Sequence, residues 1–294
     1  MDRLRSVIDP SQEAAELRAY LGDAYDHERL VHYEAQLDAE LADIGDEHAL
    51  YRRSQAYLYN LTAFAMTGTK DPYRTWIDTA FPDGGRLLDV GCGIGSDGLA
   101  LMAGGGHTVT FADFDNPSVA YLRARLAQRA AGAQAGTSVG LAAHRDGKRR
   151  HTQPGGDVGA PAARIVGGGP LTAARIVNLD AEPLPGGHDL AYAFDVLEHV
   201  DDPLALLATM EAAATLVLVN LLEAEAVQTP LHHALPVARL LDHATQRGLV
   251  RYRRFHGGRS HLVLYRSGAS GTPAPSLAAR ARSRAVRLAG ARRG

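Results

Sequence analysis

Several features that would fix the location or chemistry of this 294-residue chain are missing from its sequence. A single cysteine, Cys92, allows neither an internal disulfide nor a zinc site built from cysteines. No run approaches the roughly 18–20 consecutive apolar residues of a transmembrane helix, and the acidic N-terminal segment does not resemble a secretory signal. The net charge of −2 gives no general affinity for nucleic acid. We therefore expect a soluble, cytoplasmic protein without a membrane or nucleic-acid partner.

Lysine is scarce, and acids are absent from the end of the chain. Lys70 and Lys148 are the only lysines, and no Asp or Glu follows Arg266. The segment 267–294 combines arginines with Ala, Ser and Pro, so we predict a disordered basic tail. An arm that contacts RNA is the alternative role for this segment.

The order of predicted elements divides the chain in two. Residues 1–80 carry apolar side chains three and four positions apart, which predicts an N-terminal helical cap. Residues 81–266 alternate short apolar runs with helical segments and end in two strand-like runs. This pattern predicts an α/β fold with a doubly wound, mostly parallel seven-stranded sheet and a final hairpin. Residues 132–172 are rich in Gly and Ala without either periodicity, so we predict a flexible insertion there.

The strongest chemical motif is a strand that runs into alternating glycines and then a helix. Gly91, Gly93 and Gly95, with Cys92 between them, let a ligand lie against the backbone, and the next helix begins with unpaired N–H groups. The segment 93–98 formally matches the dinucleotide fingerprint, which binds a pyrophosphate.

Two acids make an anionic ligand a poor fit to this turn. Asp89 precedes the glycines, and Asp97 falls in the first turn of the helix. Both would lie beside a doubly charged pyrophosphate. A ligand with a cationic end, such as the sulfonium and ammonium of S-adenosylmethionine, fits this pattern better.

Further acids follow at the ends of the next predicted strands. Asp113 can accept hydrogen bonds from both hydroxyls of a ribose, a role common to NAD and S-adenosylmethionine, and Phe114 beside it can pack on an adenine. Asp180 can accept from the adenine amino group. A polar cluster from Asp195 to His199 ends the fourth strand, and ligands of parallel sheets bind at this edge.

Taken in order, these motifs resemble those of the class I S-adenosylmethionine-dependent methyltransferases. The strand-four sequence Asp-Val-Leu-Glu-His at 195–199 is similar to that of the small-molecule branch of this family. The resemblance implies that S-adenosylmethionine is the cofactor. It also implies these contacts: Asp89, Gly91, Gly93 and Asp195 near the methionine end, Asp113 at the ribose, and Asp180 and Ala181 at the adenine.

Histidines and tyrosines are the candidates on the acceptor side. His199 can take a proton from the acceptor as a general base, or it can only orient its loop. His232 and His233 follow the fifth strand and either reach the acceptor or face solvent. No third ligand is spaced with them in the sequence, so no metal site is predicted.

Tyrosines of the predicted helix 47–66 are candidates to line the acceptor pocket. They are Tyr51, Tyr57 and Tyr59. The alternative is that they pack this helix onto the sheet.

The sequence therefore predicts methyl transfer from S-adenosylmethionine to O, N or C of a small-molecule acceptor. A secondary metabolite is the expected acceptor, because the Ala-, Gly- and Arg-rich composition is typical of GC-rich genomes and no nucleic-acid motif is present. An NAD-dependent oxidoreductase and a non-catalytic nucleotide- or RNA-binding protein are the alternatives.

Overall fold

The computed structural model describes residues 6–145, 174–223 and 231–268. Its N-terminal helices are α1 Pro10–Leu21, α2 His27–Val31, α3 Tyr33–Ile44, α4 Glu47–Arg53, α5 Ala56–Met66 and α6 Asp71–Ala80. The following elements alternate: β1 Arg86–Val90, α7 Ser96–Gly105, β2 Thr108–Asp113, α8 Pro117–Arg145, β3 Arg175–Asn178, β4 His188–Ala193, α9 Pro203–Ala213, β5 Ala214–Leu222, α10 Val237–Gly248, β6 Leu249–Phe255 and β7 Ser260–Arg266.

The strands form one seven-stranded sheet in the order β3-β2-β1-β4-β5-β7-β6. Strands β1 to β5 run parallel to one another, and β7 is antiparallel to both β5 and β6. The strand order reverses between β1 and β4, so a ligand crevice is expected at the carboxyl ends of these two strands. The predicted fold class, including the final hairpin, is confirmed.

Alternating side chains of the strands build two apolar layers, one on each face of the sheet. In β1, Leu87 points to the layer that contains Trp76 of α6, whereas Leu88 points to the opposite layer, which contains Met210 of α9. This period of two is the one that a strand imposes. Helix α6 therefore covers the sheet itself, although the sequence placed residues 1–80 in a separate cap.

The predicted helix 47–66 is interrupted in the structure, where it divides into α4 and α5 at Ser54. Ser54 has an extended backbone, and its Oγ accepts from Tyr57 N at 3.0 Å and donates to Glu40 Oε2 at 2.7 Å. Serine starts helices more readily than it continues them, so the break follows from local hydrogen bonding.

Helix α8 occupies the start of the predicted insertion. Helix α8 continues to Arg145, and the alanines of this stretch, which the sequence analysis interpreted as part of a loop, favour a helix. The rest of the predicted insertion and nearly all of the predicted tail lie outside the described residues. Among the described helices, none combines the length and apolar character needed to cross a bilayer.

Candidate active site

The chain turns sharply between β1 and α7. Gly91 has a φ of 68° and Gly95 a φ of 73°, in the left-handed region that L side chains rarely adopt. A Cβ at Gly91 would lie 2.7 Å from the Val196 side chain, and one at Gly95 would lie 2.5 Å from a leucine methyl. The N–H groups of Gly91 and Cys92 donate to the carbonyl of Ala112 at 2.8 and 3.2 Å, which joins the turn to β2.

Asp113 ends β2 beside this turn, and backbone groups fix its carboxylate. Oδ2 accepts from Gly93 N and Oδ1 accepts from Phe114 N, both at 2.7 Å. Burial raises the pKa of Asp113, although both N–H groups act in the opposite direction. Each oxygen keeps lone pairs for a further donor, which is what the two hydroxyls of a ribose require.

Three largely buried carboxylates and two cations meet between α6, α7 and the ends of β1 and β4. Lys70 Nζ lies 3.2 Å from Asp195 Oδ2 and 3.7 Å from Asp97 Oδ2, and Arg74 pairs with Asp97. Burial and the nearby Asp97 charge raise the pKa of Asp89 to about 8. Arg74 also pairs with Asp71, so when Asp89 is protonated the three remaining carboxylates still exceed the two cations by one negative charge. A cationic ligand would balance it.

Asp195 is held in an unusual backbone conformation by β5. Its φ is 57°, a value that is uncommon for a residue other than glycine. Its N–H donates to Asn220 Oδ1 at 2.8 Å, and Asn220 Nδ2 donates back to Asp195 Oδ1 at 2.5 Å. Burial opposes ionisation of this carboxyl, but the Lys70 ammonium, the Asn220 hydrogen bond and the His199 charge together outweigh burial and lower the pKa of Asp195. The carboxylate therefore faces the crevice in its charged form.

The predicted adenine end is bridged by an arginine of α4. Arg52 donates to both oxygens of Asp180, at 3.0 and 2.7 Å, and its guanidinium lies 5.0 Å from the centre of the Phe114 ring. Asp115 N also donates to Asp180 Oδ2 at 3.1 Å. Ala181 follows in the turn at the end of β3, where its N–H donates to the carbonyl of Asn178. Asp180 is thus shared among several donors.

Helix α8 is capped by Asn116, because its Oδ1 accepts from Val119 N at 2.9 Å. The Asp115 carboxylate pairs with Arg123 at the surface.

His199 lies in a short 3₁₀ turn after β4 and contacts α4. Its Nδ1 is 2.9 Å from the carbonyl of Leu231 and 2.7 Å from Tyr51 Oη. A carbonyl can only accept, so Nδ1 carries the proton and Nε2 keeps its lone pair. Burial lowers the pKa of His199, but Glu47 and Glu198 outweigh burial and raise it.

Glu198 is a buried acid of this turn, at 1% exposure. Both of its carboxylate oxygens are buried without a hydrogen-bond partner. Burial and the Asp195 charge raise its pKa to about 7. Such an unpartnered carboxylate is rare in folded proteins.

The two adjacent histidines lie in different environments. The His232 ring is 4.8 Å from that of His199, and its Nδ1 is buried without a partner. Burial and the neighbouring His199 lower the pKa of His232 to about 4. His233 is half-exposed and its Nε2 lies 3.3 Å from Glu47 Oε2. Only His232 therefore turns inward, towards His199.

The three candidate tyrosines also separate. Tyr51 contacts His199, and its ring packs edge-on against Tyr57 at 5.1 Å. Burial and the charges of Asp113 and Glu198 raise the pKa of Tyr57. The expectation for Tyr59 needs correction. Its hydroxyl accepts from the backbone of α2 at 2.9 Å, and its ring is buried at 1% exposure among N-terminal helices.

Several residues at this site were not predicted from the sequence to belong to it, among them Lys70, Glu47, Arg52, Glu198 and Asn220. Lys70 was noticed only as a rare residue type. Its rarity in an arginine-rich chain was the one available signal. Glu47, Arg52 and Asn220 lie in segments without a recognisable motif. Glu198 lies inside the motif 195–199, in which only Asp195 and His199 were assigned a role.

Comparisons with known proteins agree with this geometry. Residues 69–263 match the family described as "Methyltransferase domain". The mitomycin 7-O-methyltransferase MmcR has a similar structure, with a TM-score of 0.51 and 16% identity, over 89% of this chain and 74% of that one.

Weaker structural similarity extends to two further enzymes. One is the magnesium protoporphyrin IX methyltransferase ChlM from Synechocystis PCC 6803, with a TM-score of 0.43 and 14% identity over 88% of this chain and 97% of that one. The other is the glycopeptide N-methyltransferase MtfA, with a TM-score of 0.43 and 15% identity over 67% and 89% of the two chains. No curated protein gave a significant sequence match.

The family match covers more than half of the chain, including the glycine turn, the acid cluster and the strand-four motif. The family resemblance expected from the sequence is therefore confirmed, and the oxidoreductase alternative is set aside. The chain belongs to the methyltransferase domain family and is an S-adenosylmethionine-dependent methyltransferase.

Proposed function

We propose that this methyltransferase acts on O, N or C of a small-molecule acceptor, bound between α4 and the carboxyl ends of β4 and β5. A secondary metabolite is the acceptor class we expect. The observation that carries the proposal is the cover that α4 forms over this edge. Tyr51 bonds His199 and Glu47 pairs with His233, so the reacting end of the site is closed to a bulky macromolecular surface.

The cofactor residues follow from the surplus negative charge of the acid cluster. The ammonium and sulfonium of S-adenosylmethionine suit Asp89, Asp97 and Asp195, and Lys70 is placed to receive the carboxylate of the methionine portion. The backbone of the glycine turn, Gly91 to Gly95 including Cys92, adjoins this region.

The nucleoside portion of the cofactor would lie along the ends of β2 and β3. Asp113 offers both carboxylate oxygens to the ribose. Phe114, Asp180 and Ala181 suit the adenine. Because Arg52 occupies both oxygens of Asp180, we expect Arg52 to shift when the adenine amino group approaches.

The acceptor would contact Tyr51, Tyr57, His232 and His233. Positioning and exclusion of water supply most of the catalysis in this proposal, since the sulfonium is already a good leaving group. His199 is the candidate for contact with the acceptor heteroatom, through the Nε2 lone pair that its hydrogen bond to Leu231 leaves free. For an acceptor with an O–H or N–H, a general base at this point would remove the proton.

Calorimetric titration tests the cofactor half of the proposal. We expect S-adenosylhomocysteine to bind and NAD not to bind. Asp113→Ala should weaken S-adenosylhomocysteine binding by about 1.5–3 kcal/mol, as the loss of charge-assisted hydrogen bonds does. Asp115→Ala is the matched control, because its carboxylate pairs with Arg123 at the surface. Equal affinities for the two variants would remove Asp113 from the ribose role.

Transfer of a labelled methyl group tests the acceptor half. The protein is supplied with methyl-labelled S-adenosylmethionine and, in separate reactions, a library of phenols and amines, total RNA, or a protein extract. Label in the small-molecule fraction supports the proposal. Label confined to RNA or protein contradicts the small-molecule assignment while it leaves the methyltransferase activity intact.

A further inference from the structure

Folding brings together three side chains that could ligate a metal ion. Among the described residues, one ligand atom each from Glu198, His199 and His232 lies within 4.8 Å of the other two. Glu198 and His199 follow β4, and His232 lies beyond β5, so their separation in sequence hid the group. The sequence predicted no metal site, because no third ligand is spaced with the adjacent His232 and His233. Glu198 and His199 supply ligands from elsewhere.

The orphaned polar atoms of this region coincide with the same group. Both Glu198 carboxylate oxygens and His232 Nδ1 are buried without a hydrogen-bond partner. Every one of these atoms has a lone pair and none needs to donate, if Glu198 is ionised and His232 is neutral. A cation would satisfy all of them at once, whereas a hydrogen-bond donor would satisfy them one at a time.

The surroundings of His199 are those of a metal ligand. Metal-binding histidines almost always donate their second ring N–H to a carbonyl or carboxylate, which fixes the ring and directs the other nitrogen at the metal. His199 Nδ1 has this contact with the Leu231 carbonyl at 2.9 Å, and Tyr51 Oη lies 2.7 Å from the same nitrogen. Tyr51 in turn donates to Glu47. The ring is therefore oriented by groups that do not occupy Nε2.

We propose that Glu198, His199 and His232 bind one divalent first-row transition cation, of the class of Zn²⁺, Mn²⁺ and Co²⁺. Two imidazole nitrogens and one carboxylate favour such ions over Mg²⁺, which prefers oxygen ligands. Three protein ligands leave coordination positions open, as catalytic metal sites do.

The open positions suggest what the cation would do. The site lies beside Asp195, at the strand ends where the acceptor is placed, so an oxygen of the acceptor would take an open position. This part rests on the proposed function, whereas cation binding does not. Ligation uses the Nε2 lone pair of His199, so it replaces the general-base role of this residue with a positioning role.

Cobalt binding provides a direct test, because Co²⁺ has a visible spectrum that depends on its coordination. The full chain, without a histidine tag and stripped with EDTA, is titrated with Co²⁺ by calorimetry and absorbance. We expect one Co²⁺ per chain, displaced by Zn²⁺ but not by millimolar Mg²⁺. His232→Ala should weaken binding by at least the 10–100-fold that loss of an outer-sphere partner costs.

The neighbouring histidine is the matched control. His233→Ala removes an imidazole one position away that is half-exposed and turned towards Glu47, so it should leave the Co²⁺ affinity and spectrum unchanged. Glu198→Gln tests the carboxylate. Circular dichroism and S-adenosylhomocysteine affinity, measured for each variant, show whether the fold is intact. For any variant that does not fold, the wild-type spectrum remains the test, since Co²⁺ bound by nitrogen ligands differs from hydrated Co²⁺.

Two results would overturn the metal site: no Co²⁺ binding by the wild type, or equal loss of binding in His232→Ala and His233→Ala. These outcomes are distinct from failure of the proposed function. A chain that binds Co²⁺ through His232 but transfers no methyl group to small molecules retains the metal site. A chain that methylates small molecules without Co²⁺ affinity retains the function and loses the site.

Discussion

Two of the places where the N-terminal helices contact the rest of the protein differ in kind. Helix α1 is attached by what we name the α1 clamp, formed by Glu13, Glu16, Arg125 and Arg129. Helix α4 is attached by what we name the α4 latch, formed by Glu47, Tyr51 and Arg52. The first is buried and lies behind the glycine turn, whereas the second is partly exposed and lies over the acceptor side.

The α1 clamp is a network of charges removed from water. The Arg125 side chain is fully buried, and it pairs with Glu13 and with Glu16, the latter at 2.7 Å. Arg125 also donates to the Ile94 carbonyl and to Ser96 Oγ, both at 2.8 Å. Loss of one partner would leave a buried charge uncompensated, so this contact has few alternatives.

The ion pairs of Arg52 and Glu47 in the α4 latch are partly exposed, so water can replace them. Arg52 and Asp180 are 46% and 32% exposed, and His233 beside Glu47 is half-exposed. Surface ion pairs contribute little to stability. From this difference we expect α1 to be a fixed support for the glycine turn, and the polar end of α4 to open more readily than α1.

The largest expected effect comes from the clamp. Glu13→Ala removes a carboxylate that pairs with Arg125 and accepts from Ser96 Oγ at 2.6 Å. We expect the free energy of unfolding to fall by about 3–5 kcal/mol, the cost of breaking a buried pair. Urea denaturation followed by circular dichroism measures it. The control is Glu28→Ala, an exposed α2 acid, which should change stability by no more than about 0.5 kcal/mol. Similar values for both variants would refute the distinction.

The second effect is a pH dependence of the same contact. Burial opposes ionisation of Glu16, but Arg129 and Arg125 outweigh burial and lower its pKa. A carboxyl whose pKa is lower in the folded protein stabilises it above the unfolded value of 4.5, and this contribution disappears as the pH falls through the folded pKa. The stability difference between wild type and Glu16→Gln should therefore narrow as the pH falls below 4.5.

Urea denaturation midpoints of the wild type and of Glu16→Gln, measured between pH 6 and pH 3, test whether the stability difference narrows. The raised pKa of Asp89 affects both proteins equally and cancels in the difference. A difference that stays constant over this range would mean that the pKa of Glu16 is the same in the folded and unfolded protein, and a difference that widens as the pH falls would mean that folding raises it.

The sheet and the α1 clamp differ in how far the sequence predicts them. The sheet was predictable because each strand imposes its own periodicity, and the glycine turn and Asp113 were predictable because they follow their strands directly. The clamp was not, since Glu13 and Arg125 are 112 residues apart and neither belongs to a motif. The sequence therefore contains no signal for the contact between α1 and α8.

The acceptor side was only partly predictable for a related reason. His199 was found through its motif, but its orientation depends on the Leu231 carbonyl and on Tyr51, from two distant segments. Tyr59 was misassigned because three tyrosines of one predicted helix look equivalent in sequence. The break at Ser54 separates Tyr51 from Tyr57 and Tyr59, and the helical turn then directs Tyr59 inward.

Removal of one tyrosine hydroxyl from the N-terminal helices and one from the acceptor side compares these regions through the same chemical change. Tyr59→Phe removes a buried hydroxyl that accepts from Asp26 N, and Tyr51→Phe removes the hydroxyl between His199 and Glu47. Each should cost about 0.5–1.5 kcal/mol of stability. Only Tyr51→Phe should alter kcat with the acceptor, once an acceptor is known, because only Tyr51 reaches the site. An equal change of kcat in both variants would contradict the assignment of Tyr51 to the site.

The smallest effect on stability, and the sharpest probe of the latch, is Arg52→Ala. Its guanidinium bonds Asp180 and lies over Phe114, so its loss frees the end of α4 without disturbing a buried layer. We expect an unchanged urea midpoint together with faster amide hydrogen exchange in residues 47–53, since local opening depends on the local contacts alone. Exchange in α1 should stay slow, because the clamp holds it independently. Arg53→Ala, the next residue along, is the matched control and should leave exchange in residues 47–53 at the wild-type rate. Faster exchange in both α1 and α4 would mean that these two helices open together. That result would contradict independent opening of α4.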